Sequence, residues 1–191
     1  MDILLLSTIV FSILRLGVFF GLHVKYRKLS IFTNTVSDYG TGQSRSLYSL
    51  MGSLSLAAYV TLLAYLITVE YNPSWLTTLL GVGIIGSVAI LFFPTDRTGK
   101  AHTRTGRIHW LLAILNFTML FIFMTNAQLP DTSAQAEMLA AATWVVRITF
   151  YAFIVSLLLP KLRQNYIGFT ERLFLTATPL WFIVFAWLLL A

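Results

Sequence analysis

Six apolar runs, each of about 20 residues, decide what this chain can become. They cover residues 3–24, 47–69, 74–93, 108–125, 138–159 and 173–190. A helix rises about 1.5 Å per residue, so each run can cross a hydrocarbon core of about 30 Å. Backbone groups in hydrocarbon have no water to bond, and a run of this length satisfies them internally as a helix. The sequence therefore predicts an all-α integral membrane protein, a six-helix transmembrane bundle, with residues 1–191 as a single domain. No low-complexity linker and no internal repeat marks a second one.

Composition agrees. Hydrophobic residues make up 58% of the chain and charged residues 10%, against about 25% charged in a soluble domain. The formal charge is +6. In a soluble protein that balance would raise nucleic acid as a partner; here nearly all the cations sit between the runs, so none is expected. The first connection holds Lys25, Arg27, Lys28 and Arg45, the third Arg97, Lys100, Arg104 and Arg107, and the fifth Lys161, Arg163 and Arg172. The second and fourth hold only acids: Glu70, Asp131 and Glu137. By the positive-inside rule the odd connections face the cytoplasm and both termini lie outside. The N-terminal "MDILLLSTIV" starts with an acid and lacks a small-residue cleavage site, so it reads as a retained helix. There is no cysteine, which excludes disulfides, thiolate metal sites and cysteine nucleophiles.

The joints follow the same plan. Pro94 ends the third run, Asn72 and Pro73 make a tight turn, and Pro130 and Asp131 break the chain before the fifth. Pro179 lies inside the sixth run and is expected to kink it. Ser49, Ser53, Ala57 and Thr61 recur every fourth residue on the second run, as do Gly83 and Ser87 on the third. Small residues at this spacing let helices approach closely. Plain packing is the first reading, and the same faces would also suit a homo-oligomer.

Two arginines fall within the runs. Arg15 lies past the middle of the first and Arg147 near the middle of the fifth, where Thr143 and Tyr151 extend a polar stripe at four-residue spacing. Each costs about 2.5–3.5 kcal/mol at a helix centre by insertion scales, so each is expected to face the bundle interior with a partner. No carboxylate is expected at matching depth. The partner is then a loop folded into the bundle or an anionic ligand, unless the side chain snorkels or bonds a carbonyl. His109, Ala113 and Asn116 share one face of the fourth helix. His109 suits a proton acceptor, a metal ligand or a hydrogen-bonded interfacial residue, and Asn116 an interhelical hydrogen bond. In the first connection, Ser37 and Asp38 can cap a helix start. Ile31, Phe32, Val36 and Tyr39 make that connection too apolar for a free loop, so it is expected to fold along the interface or into the bundle mouth.

Three stretches carry a resemblance: "SDYG" (Ser37–Gly40), "FPTD" (Phe93–Asp96) and "TRTGRIHW" (Thr103–Trp110). Together, and in this order, they resemble the family catalogued as domain of unknown function 998, prokaryotic multi-pass membrane proteins. The resemblance implies a six-helix architecture in the cell membrane and brings no reaction, substrate or cofactor. A fainter similarity is to the alkaline-ceramidase and progestin-receptor-like superfamily, which holds zinc with Ser, Asp and His at helix ends. Ser37, Asp38, His102 and His109 have matching types, with His23 on the same side. That superfamily takes a histidine pair from its last helix, and this chain has no histidine after His109. No metal is therefore assigned, and the cofactor stays open.

Three functions are expected in turn. The first is binding of a membrane lipid or anionic amphiphile in a pocket open to the cytoplasmic leaflet. Its ligand residues would be Arg15, Arg147, Asn116, Arg107 and Tyr151, with Asp38, Asp96 and His109 at the mouth. The second is hydrolysis or transfer at a lipid head group, with His109 as base or metal ligand, Asp38 or Asp96 orienting it, and Ser37 beside them. The third is a structural or assembly role.

Overall fold

A computed structural model describes residues 1–98, 103–129 and 133–191. Among them the chain forms six long helices: α1 (Asp2–Lys25), α2 (Arg45–Thr68), α3 (Ser74–Leu91), α4 (Arg104–Asn126), α5 (Ser133–Leu158) and α6 (Pro160–Leu190). All six are long and apolar enough to cross a membrane. Their outer faces carry large apolar side chains such as Ile3, Val10, Ile85 and Ile148, as hydrocarbon surroundings demand. The expected breakers Pro130 and Asp131, with Lys100 and His102, lie outside the described residues.

The sixth helix corrects the sequence reading. It starts at Pro160 rather than at residue 173, and only Leu159 separates it from α5. Proline is favoured in the first turn, where its missing N–H would be unbonded anyway. At 31 residues α6 is about 46 Å long, so it exceeds the hydrocarbon thickness. Lys161, Arg163 and Arg172, read as loop cations, ride on this helix, and Arg172 is buried.

α6 is also the most enclosed helix. Its Phe174, Trp181, Phe182 and Phe185 are buried against Phe123 and Phe117 of α4 and Tyr59 of α2, mostly in edge-on or tilted ring pairs. The Trp181 indole N–H donates to Thr143 Oγ1 at 3.0 Å, so this buried ring has a partner for its polar edge. Leu5 and Leu188, near the two chain ends, share a core with Leu66 of α2 and Leu76 of α3, which flank the α2–α3 turn. The other end of the bundle carries the basic connections.

The small-residue faces are used within the chain. Thr61 of α2 shares a hydrogen bond with Thr8 of α1 at 2.8 Å. Asn116 of α4 lies against Gly83 and Gly86 of α3 and donates to Ser87 Oγ at 3.0 Å, the interhelical bond its depth suggested.

The first connection folds into the bundle mouth, as its apolar content required. After α1 it runs through two 3-10 turns, Val36–Gly40 and Gly42–Ser44, burying Val36 and Tyr39 with Phe19, Leu22 and Met51. It is pinned to α6 mainly through backbone. Phe32 O accepts from the N–H groups of Gly168 and Phe169. Arg172 Nη1 donates to the carbonyls of Ile31, Asn34 and Gly168, and its Nε to His23 Nε2 at 2.7 Å. Gly168 is where the first connection meets α6: a Cβ there would fall on the Asn34 carbonyl.

Candidate functional site

The basic end of the bundle holds a partly open cavity of about 1020 Å³. Residues of α1, α2, α3, α4, α5 and α6 contribute to its wall, and the segments 33–37 and 95–98 cover it. The wall is mostly apolar: Met51, Leu56, Ile90, Ile114, Phe117, Phe153 and Leu157. Four arginines interrupt it, namely Arg15, Arg97, Arg107 and Arg163.

Arg15 is placed by a defect in α6. Pro179 has no N–H, so the Leu175 carbonyl four residues earlier lacks its intrahelical donor. Arg15 Nη1 donates to that carbonyl. The guanidinium also lies 5.2 Å from the Phe19 ring centroid. Arg15 is only 4% exposed and, among the described residues, makes no ion pair with a carboxylate within 4.0 Å. One of its five N–H donors is accounted for by Leu175. The helix around Pro179 stays continuous from Pro160 to Leu190.

The carboxylates near the cavity serve the backbone. Glu171 Oε2 accepts the N–H of Val36 at 2.6 Å. Asp38 Oδ1 accepts the Thr98 N–H at 2.7 Å, and its Oδ2 accepts Asn34 Nδ2 at 2.8 Å. That stitch joins the first and third connections, and Arg97 Nε adds a bond to Thr41 Oγ1 at 2.9 Å. Asp96 accepts the N–H and the hydroxyl of Thr103 at 2.7 and 2.9 Å. Thr103 in turn caps α4, accepting from the Gly106 N–H. A Cβ at Gly106 would strike the Asp96 carboxylate, so this glycine lets the aspartate close over the helix start.

His109 lines the cavity, and its Nδ1 lies 2.7 Å from Phe93 O. A carbonyl only accepts, so Nδ1 carries the proton and Nε2 is the basic nitrogen of the neutral ring.

The nominated residues thus divide. Arg15, Ser37, Asp96, Arg107, His109 and Asn116 line one cavity. Asp38 is 1% exposed behind the covering segments and is not in the wall. Arg147 and Tyr151 are not in it either. Arg147 leaves the expected interior position for the outer seam, where Nη2 donates to Thr125 O at 3.3 Å and the guanidinium lies 5.1 Å from the Trp144 ring centroid. Thr125 O belongs to the last turn of α4, whose carbonyls have no intrahelical donors. Tyr151 is 56% exposed on the outer surface. His102 lies outside the described residues. Among the described residues no group of three or more His, Asp or Glu converges as a metal-holding set.

Sequence reasoning missed Glu171, Arg163 and the Arg172–His23 pair. A signal was present: Ile167, Gly168, Glu171, Arg172 and Leu175 recur at helical spacing directly after Pro160.

Six apolar helices around a cavity with a basic mouth define a multi-pass membrane protein. The chain belongs to the family described as Protein of unknown function (DUF998), whose model matches residues 9–188. No curated protein and no solved structure matches it.

Proposed function

We propose that the protein binds an anionic amphiphile, with the charged group at the arginines of the cavity and the apolar part against its walls. On the positive-inside rule the basic end faces the cytoplasm and both termini lie outside; family membership supports a prokaryotic cell membrane as the location. One observation carries the reading: the wall holds Arg15, Arg97, Arg107 and Arg163 against two carboxylates, Asp96 and Glu171, both engaged by backbone N–H groups. Arg15 is buried, and a buried cation calls for a negative partner, while Arg97, Arg107 and Arg163 stand exposed around the mouth. A volume near 1000 Å³ suits a ligand of that size. Native mass spectrometry of gently purified protein tests it: bound anionic lipid is expected in the wild type and is lost in Arg15→Gln. Equal lipid in both would refute it.

A second reading, head-group hydrolysis or transfer, has one observation in favour. The Phe93 bond fixes the His109 ring with Nε2 as its base. Asp38 and Asp96 are held by other partners, which weakens the orienting role considered for them. Conversion of lipid by wild type but not by His109→Ala, with lipid binding retained, would support it.

A further inference from the structure

Among the described residues, the ring contacts and hydrogen bonds between α4 and α5 all lie at Phe117 or farther from the basic end. Phe117 meets Phe153, Phe121 stacks on Phe150 with centroids 4.0 Å apart, and Arg147 holds Thr125 O. Toward the basic end the space between the two helices is cavity, with Trp110 and Ile114 on one wall and Leu157 on the other. We infer that this gap is a lateral portal through which a membrane lipid with an anionic head group enters from the surrounding bilayer. The inference rests on the binding reading above and adds the route and the source of the ligand.

Three features direct the route sideways. The covering segments are stitched together by Asp38 to the Thr98 N–H, by Thr35 to Thr98 and by Arg97 to Thr41. Trp110, Ile114 and Leu157 are uncharged, and Arg107, one turn before Trp110 on α4, and Arg163, at the start of α6, stand at the basic end of the same lining, where a head group would meet them. Trp110 and Leu111, beside the gap, are 52% and 54% exposed, as residues of a lipid-facing edge would be. An acyl chain moving from bilayer to apolar wall changes surroundings little. Ion pairing of the head group then decides binding, and a small water-soluble anion gains nothing from this path.

The chain has no cysteine, so Ile114→Cys and Leu157→Cys each give a single reporter on the portal wall. Each full-length variant would be reconstituted in vesicles of phosphatidylcholine alone or with phosphatidylglycerol, and labelled with N-ethylmaleimide. Phosphatidylglycerol is expected to slow labelling about tenfold at both sites, the protection an occupied site gives when ligand exceeds its dissociation constant by that factor. Inorganic phosphate is expected to leave the rate unchanged, and Ile148→Cys on the outer face to label alike throughout. If Ile114→Cys fails to fold, Leu157→Cys carries the test. Protection by phosphate but not by the lipid would overturn the portal and keep the anion site. Unprotected cysteines in a protein that still holds Arg15-dependent lipid would overturn the portal alone. Unprotected cysteines and no such lipid would overturn both.

Discussion

Glu171 on α6 accepts the backbone N–H of Val36 at 2.6 Å, across 135 positions of sequence. The bond fastens the first connection over the cavity from below. Glu171→Ala leaves a buried donor without a partner and should cost about 1–3 kcal/mol. Glu171→Gln keeps a carbonyl oxygen at the site and should cost less. Thermal unfolding in detergent separates the two; equal losses would show that hydrogen bonding to Val36 is not the reason.

Arg15 and Pro179 should be energetically coupled, because both bear on the Leu175 carbonyl. Arg15→Met removes its donor and should destabilise by about 1–3 kcal/mol. In a Pro179→Ala background the restored N–H can take that carbonyl, so the same change should cost about 1 kcal/mol less. A double-mutant cycle with additive effects would disprove the link.

Gly168→Ala should loosen the first connection, since the added carbon lands on the Asn34 carbonyl and near Arg172 Nη1. Overpacking of this kind costs about 1–3 kcal/mol. Trypsin cleavage at Arg27 or Lys28 should accelerate in step. Gly52→Ala is the matched control, as nothing lies within 4 Å of its new carbon. It should leave both readouts near wild type.

Arg147 and Arg15 should behave oppositely toward lipid. Arg147→Gln removes a bond to the last turn of α4 on the outer seam. Its cost should be about 0.5–1.5 kcal/mol, with co-purifying anionic lipid unchanged. Arg15→Gln should lose that lipid. The reverse pattern would return the binding role to α5.

The spans and the docking of the first connection were legible because hydrophobic length and loop composition are local quantities. Of the motif residues, Ser37, Asp96 and His109 line one cavity, whereas Asp38 sits outside its wall, bound to the Thr98 N–H. The start of α6 was not, because Lys161, Arg163, Glu171 and Arg172 look like a solvated loop unless the chain folded against them is known. Arg147 failed for a geometric reason. Four-residue spacing drifts by about 40° per step on a helix of 3.6 residues per turn. Thr143 therefore faces Trp181 inside while Tyr151 faces out. Nor does any local pattern say that Pro179 frees a carbonyl for a side chain on α1; only the fold brings them together.

The first connection is gripped by its peptide groups: the carbonyls of Ile31, Phe32 and Asn34 and the N–H of Val36. Such a grip reads spacing rather than side-chain identity. Swapping Ile31 for another residue should preserve every one of those contacts, and a change at Phe32 should cost only its ring packing on Phe169 and Tyr166, whereas inserting or deleting one residue between Ile31 and Val36 should throw them out of phase. This stretch behaves as a ruler laid across the helix ends, and its length, more than its lettering, keeps the lid over the cavity.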